Sequence, residues 1–333
     1  MNSNRKNIYM CKFTVAIPIF KKKFLAKAIN SVLSQTYQDF ELILLNDCSP
    51  ENIDIIVESY SDSRIRYYKN EKNVGMVDVV DNWNQCLSKA KGEYIICMGD
   101  DDELTRDCLD QYSKLIDLYP DVDVYHGQTI VIDEDSNPIF MSQTRPCWES
   151  VYELIYHRFR GREQYIGDFL YSVKALKQNG GFYKLPAAWG SDDITAVISA
   201  TISGIANTHE VVFKYRSNSY SISSTGSISV KIDAVSKEEL WYNNFLNTAT
   251  STSASDEIII KLLSSNLKKT FQKKRLRLIT DDLIGHPFNF FSWYKNSKKY
   301  GLSKQMIFYS LIMSIRDRKS IKYQKSLNNG KKR

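Results

Sequence analysis

The run Glu93-Tyr-Ile-Ile-Cys-Met-Gly-Asp-Asp-Asp102 passes without a break from apolar β-formers to three consecutive carboxylates. A short apolar run rich in β-branched and aromatic residues, ended by a turn, reads as a buried strand. Upstream, Phe13-Thr-Val-Ala-Ile-Pro-Ile19 and Phe40-Glu-Leu-Ile-Leu-Leu45 have the same character, and Arg64-Ile-Arg-Tyr-Tyr68 reads as a further strand. Between the first two, Phe24, Leu25, Ala28, Ile29, Val32 and Leu33 recur at helical spacing. Ser49-Pro50 reads as a helix start with proline in the first turn. A helix is expected from about Met76 to Lys91, with Gly92 as its C-terminal stop. Another is expected from Thr105 to Tyr119, stopped by Pro120. Strict alternation of strand and helix predicts an α/β fold with a mostly parallel sheet covered on both faces. In such sheets ligands collect beyond the carboxyl ends of the strands. Those ends carry Phe20, Asn46-Asp47 and Gly99-Asp100-Asp101-Asp102.

Beyond residue 121 the pattern is mixed, with strands over Val122–Ile132 and Val211–Tyr215 and helices over Glu149–Arg158 and Asp192–Ser203. Ser217 to Ser229 is serine-rich and poor in apolar residues, a linker. The charge changes there too. Residues 1–230 hold 24 basic and 30 acidic residues, whereas residues 231–333 hold 21 and 8, within a chain of net charge +7. Two domains are therefore expected, residues 1–228 and a basic, mainly helical extension over 229–333.

Three carboxylates at one strand end repel each other unless a positive charge joins them. A hard divalent cation with oxygen ligands would do so, and so would the N-terminal dipole of the next helix; both readings stand on this motif alone. Asp47 fits a turn or cap as well as a hydrogen-bond acceptor for a ligand. In Trp189-Gly190-Ser191-Asp192-Asp193 the aspartates stand at a helix start, as a cap or as a carboxylate base. His126, His157, His209 and His286 show no metal-ligand spacing, and neither GxxxxGK[ST] nor GxGxxG occurs, which argues against kinases and dehydrogenases. The six cysteines include no CxxC pair, and Cys97 sits within an apolar run. Reduced buried thiols and a cytoplasmic protein are expected, with no signal peptide and no membrane span.

Taken together these segments resemble the family 2 glycosyltransferases, over about residues 12 to 225. The resemblance rests on Val15-Ala-Ile-Pro-Ile-Phe20, on Ile29-Asn-Ser-Val-Leu-Ser-Gln-Thr-Tyr37 followed by Phe40-Glu-Leu42, and on Leu44-Leu-Asn-Asp-Cys-Ser49. Asn73-Val-Gly75 and Asn82 to Ile95, Gly99-Asp-Asp-Asp-Glu-Leu104, Gly180-Gly-Phe182 and Gly190-Ser-Asp-Asp193 continue it in order. It implies the GT-A nucleotide-diphospho-sugar transferase fold and an inverting, non-processive transferase. A nucleotide-sugar, UDP-linked, would be the donor, and a saccharide or lipid-linked saccharide the acceptor. By resemblance Phe20 stacks on the base and Asp47 hydrogen-bonds it, while Asp100 lies near the ribose or a metal-bound water. Asp101, with Asp102, holds Mn2+ or Mg2+, and Asp193, with Asp192 beside it, is the general base. Arg216 and Ser221 would meet the pyrophosphate. The departures are Asn46 for the first Asp of the usual pair, Gly99 for the first Asp of DxD, Asp192 for the usual Glu, and Asn218 where His is common. No Gln-x-x-Arg-Trp occurs, as expected of a non-processive enzyme. A catalytically inactive nucleotide-sugar-binding or scaffold protein with the same fold is the alternative.

In the extension, Lys268-Lys269 and Lys273-Lys274-Arg275-Leu-Arg277 are where the charge is densest, and Phe288 to Tyr294 and Met306 to Ile315 supply aromatic and apolar faces. This composition suits an anionic membrane surface, which would make the protein peripheral on the inner face of the cell membrane. It also suits a packing module whose aromatics meet the catalytic domain or a second copy in a homo-oligomer. No nucleic-acid-binding module accompanies the charge.

Overall fold

Cys11–Ile19 forms β1, an almost unbroken run of β-formers at the heart of a ten-stranded sheet. The computed structural model describes residues 10–218, 227–251 and 253–330. The chain forms two compact units that part at residues 224 and 225, four residues before the boundary expected from the sequence.

In the first unit β1 is followed by α1 (Leu25–Leu33), β2 (Phe40–Asn46), α2 (Asp54–Glu58), β3 (Ile65–Lys69), α3 (Gly75–Lys89) and β4 (Gly92–Cys97). Then come β5 (Glu103–Leu104), α4 (Cys108–Leu118), β6 (Val124–Ile132), β7 (Pro138–Met141), β8 (Trp148–Glu149) and α5 (Val151–Phe159). The unit closes with β9 (Phe169–Ser172), α6 (Val173–Gln178), α7 (Ser191–Ala200) and β10 (Ile205–Arg216). The strand order is β3-β2-β1-β4-β9-β6-β10-β5, with β7 on β6 and β8 on β10. β1 runs parallel to β2 and β4, β2 to β3, and β6 to β10. β9 is antiparallel to both β4 and β6, so those two share one direction and the sheet is mostly parallel.

Burial on both faces explains the continuous apolar strands. Phe13, Val15, Ile17 and Ile19 of β1 pack with Ala28, Ile29 and Val32 of α1 and with Leu109 and Tyr112 of α4 in one core. On the other face α3 packs against β1, β2 and β4, with Cys86 and Leu87 buried. Cys86, Cys97 and Cys108 are buried free thiols, whereas Cys147 is exposed.

Several expectations change. Gly92 does not stop a helix but opens β4, where a Cβ would come within 2.6 Å of the backbone of Phe13 and Thr14. Ser49-Pro50 does not start a helix; the next one begins at Asp54, and the Ser49 hydroxyl instead donates to the Phe20 carbonyl at 2.6 Å. β10 is far longer than Val211–Tyr215 because irregular pairing between Asn207 and Phe213 lets it continue along β6.

The second unit contains α8 (Ile228–Asn247), α9 (Ala254–Gly285), α10 (Asn289–Lys295) and α11 (Lys304–Gly330). Ile232, Val235 and Tyr242 of α8 and Leu267, Phe271 and Ile279 of α9 are buried. The expected cationic cluster is partly spent inside this unit. Lys274 pairs with Glu238 at 2.7 Å and the buried Arg275 with Glu239 at 2.6 Å, both across α8 and α9. No described helix is long and apolar enough to cross a membrane.

The contact at Gly92 sets a test of the sheet. Gly92→Ala forces β4 away from β1 and should lower stability by about 1–3 kcal/mol, read as a lower urea midpoint with an unchanged slope.

Candidate active site

The parallel register brings the ends of β1, β2 and β4 side by side. Ile19 pairs with Asn46, the Asp47 amide donates to the Ile19 carbonyl at 2.9 Å, and the Met98 amide to Ala16 at 3.0 Å. The chain leaves β1 at Phe20, which is 39% exposed. Oδ2 of Asp100 accepts from the amides of Phe20 and Lys21, both at 2.7 Å, so the β4 turn holds the β1 exit directly.

Asp47 is buried at the exit of β2. Its Oδ1 accepts from Asn70 Nδ2 (2.8 Å) and the Val74 amide (2.9 Å), and its Oδ2 from the Gly75 amide (2.8 Å). These contacts tie the loop before α3 to β2, and a Cβ on Gly75 would stand 2.7 Å from Oδ2. A ligand reaching Asp47 would have to share these oxygens.

The acidic turn is organised from within. Arg216, at the end of β10, has no exposed surface. Its Nε donates to the Asp101 carbonyl at 2.8 Å and its Nη1 to the Asp133 carbonyl at 2.8 Å and Ser136 Oγ at 3.0 Å. Its Nη2 makes a short ion pair with Glu103, and Phe24 lies 4.5 Å beneath the guanidinium. The expected contact of Arg216 with a pyrophosphate therefore falls away, because burial and these partners consume its donors. Ser221 lies outside the described residues. Asp102 is also withdrawn: it is 4% exposed, and its Oδ1 accepts the Arg216 amide at 2.9 Å. It braces the turn, which removes it as a metal ligand. Asp101 stays half-buried, and its Oδ2 accepts from Asn218 Nδ2 at 2.7 Å.

Crowding of these carboxylates is visible in their protonation. Burial, and then the charge of Asp101, push Asp100 up to about 6 and hold Asp102 well above the usual carboxylate range. The donor set is all oxygen, its excess negative charge would be relieved by a hard cation, and Asp101 is less buried than Asp102. Among the described residues no three His, Cys, Asp or Glu side chains form a complete cage. Mg2+ and similar ions often take one or two carboxylates and complete their shell with substrate phosphates and water. Asp101 fits that arrangement.

The second group of expected residues opens α7. Gly190 caps the helix in a left-handed conformation, after Ala187 and Ala188 at φ 53° and 55°, strained values for residues with a Cβ. Asp193 is buried, and its Oδ1 accepts from Arg158 Nε at 2.8 Å and Gln164 Nε2 at 2.7 Å. Gln164 Oε1 accepts from Arg145 at 3.2 Å, Arg162 grips the fully buried Glu149 at 2.7 and 3.0 Å, and Arg158 returns to the Arg162 carbonyl at 2.8 Å. A chain of buried polar contacts thus fixes Asp193 to α5 and the loop after it. Its members went unnoticed in the sequence, although Ser150-x-x-Glu153 carried the signal of a capped helix start, and that capping box is present. Asp192, beside it and half-buried, is pushed well above the usual carboxylate range by burial and by the charge of Asp193.

Residues 14–177 match the family described as Glycosyl transferase family 2. The GalNAc(5)-diNAcBac-PP-undecaprenol beta-1,3-glucosyltransferase of Campylobacter jejuni is 34% identical over 98 residues, 28% of this chain and 31% of that protein. The chain spans only 24% to 43% of the length of several curated relatives it matches. In fold it is similar to S. aureus TarS 1-349, solved in complex with UDP-GlcNAc, with a TM-score of 0.62 at 16% identity, covering 96% of this chain and 92% of that one. It is also similar to the mannosyltransferase PcManGT of Pyrobaculum calidifontis, solved with GDP-Man and Mn2+, at TM-score 0.53 and 14% identity, over 94% of this chain and 88% of that one.

Removing the cation at the centre of the acidic turn strands Glu103 and several carbonyls. Arg216→Met should therefore destabilise the protein by about 3–5 kcal/mol, measured by chemical denaturation.

Proposed function

The chain belongs to the family 2 glycosyltransferases, and on that premise we propose that it moves one sugar from a UDP-sugar to a hydroxyl of a saccharide or lipid-linked saccharide. The reaction would invert the anomeric centre and serve the assembly of a bacterial surface polysaccharide or glycolipid. The observation that carries this reading is the meeting of Phe20, Asp47, Asp100 and Asp101 at the ends of β1, β2 and β4, joined by the Asp100 hydrogen bonds to the Phe20 and Lys21 amides. Support for a nucleotide-sugar donor comes from the UDP-GlcNAc and GDP-Man complexes of the two structural neighbours, and support for a lipid-linked acceptor from the undecaprenol-linked substrate named for the C. jejuni relative.

In this mechanism the exposed face of Phe20 stacks on the nucleotide base, and Asp47 and Asp100 hold the backbone around it. Asp193, oriented by Arg158 and Gln164, takes the proton of the acceptor hydroxyl. The hydroxyl oxygen then forms a bond to the anomeric carbon as the carbon–oxygen bond to the diphosphate breaks, and that electron pair leaves with the nucleoside diphosphate. A Mn2+ or Mg2+ ion held at Asp101 would supply positive charge against the diphosphate. The alternative of an inactive nucleotide-sugar-binding protein draws on Gly99 in place of the first DxD aspartate and on the sequestered Arg216.

Three measurements test the reading. Asp193→Asn should reduce kcat by at least about a hundredfold while UDP still binds in the presence of Mn2+; unchanged transfer removes Asp193 from the chemistry, and no transfer by the parent protein favours the binding-only alternative. Asp101→Ala should abolish the Mn2+-dependent part of UDP binding, measured by calorimetry. The pH dependence follows from the Asp192–Asp193 pair. Burial, and then the charge of Asp193, raise Asp192, so the pair takes up a proton above the ordinary carboxylate range, and kcat/KM should fall on acidification with a midpoint above the ordinary value of about 4.

A further inference from the structure

The second unit presents a surface that the transfer chemistry does not use. On α11, Phe308, Ile312 and Ile315 recur at the spacing of one helical face and are 54%, 51% and 50% exposed. The exposed Phe291 and Tyr294 of α10 continue this stripe. Phe290 bridges the two helices, its ring centroid lying 5.6 Å from Phe291 and 6.3 Å from Phe308. Isolated apolar side chains on a surface need no explanation, but a contiguous aromatic and aliphatic patch marks a contact.

The charge around the patch is mostly positive, although Arg316 pairs with Asp317 at 3.0 Å. From Leu283 to Arg316 the sequence contains Lys295, Lys298, Lys299, Lys304 and Arg316 and no Asp or Glu. All five cations are exposed, and Lys304 sits over the Tyr294 ring at 4.8 Å. The four lysines differ in this from Lys274 and Arg275, which ion pairs within the unit hold in place. A two-fold contact with a second copy would bring these lysines against the same lysines, since such contacts pair a patch with itself. Exposed Ile312 and Ile315 suit an acyl boundary and offer nothing to a nucleic-acid strand. An anionic bilayer satisfies both features, with the aromatic and aliphatic side chains at the headgroup–acyl boundary and the lysines over the phosphates.

We propose that the face built by residues 288–316 docks the protein on an anionic lipid bilayer, lying in the interface without crossing it. This inference is independent of the sugar-transfer reading. The full-length protein should sediment with vesicles of phosphatidylcholine and phosphatidylglycerol in equal parts, and not with phosphatidylcholine alone, and the binding should weaken as salt is raised. Joint replacement Lys298→Glu and Lys299→Glu should weaken vesicle binding by at least about tenfold. Phe291→Ser with Phe308→Ser should abolish it, with thermal melting showing that both variants remain folded. Transfer to a soluble acceptor should be unchanged in both, so failure here is separable from failure of the proposed chemistry. The proposal is overturned if the parent does not sediment, if the folded variants bind vesicles as the parent does, or if lipid-free sedimentation velocity shows a dimer that the Phe291 and Phe308 replacements dissociate.

Discussion

A guanidinium with no exposed surface allows four acidic residues in a row to stand at the end of β4. Arg216 pairs with Glu103, fills the carbonyl acceptors of Asp101 and Asp133, and through its own amide caps Asp102. Arginine suits this place because its rigid fork serves several acceptors at once. That positive charge is built into the scaffold. Because Arg216 ends β10 and Glu103 begins β5, the same interaction closes the far edge of the sheet.

The parallel half of the sheet was legible because its strands are buried on both faces and so read as unbroken apolar runs. The short strands β5, β7, β8 and β9 were not. They are 2 to 4 residues long and are defined by partners distant in sequence, as when Tyr171 pairs with Ile95 and Val124. Gly92 carried an ambiguous signal: a glycine after a helix suggests a cap, but here the absence of a side chain serves the close approach of two strands. In the site, Phe20, Asp47 and the Asp100–Asp102 turn could be located because a local strand end fixes each of them. Arg216 was read as a ligand contact because nothing near it in the chain reveals that Glu103 and Asp133 enclose it. The same blindness hid Arg158 and Gln164, whose contact with Asp193 spans about thirty residues.

In the second unit a count of lysines and arginines proved a poor guide to where positive charge is available. The densest cluster in sequence, Lys273 to Arg277, faces acidic residues on α8 in part, whereas the sparser cations from Lys295 to Lys304 meet no carboxylate among the described residues. Net charge locates a domain; pairing decides which of its cations can act on anything else.

The turn ahead of α7 stores backbone strain beside a carboxylate pair. Ala187 and Ala188 occupy left-handed backbone that glycine would adopt with less strain, at a cost on the order of 1 kcal/mol each. They stand a few residues before the carboxylate pair that opens α7. A lineage adapting to heat would gain stability here by replacing these alanines with glycine.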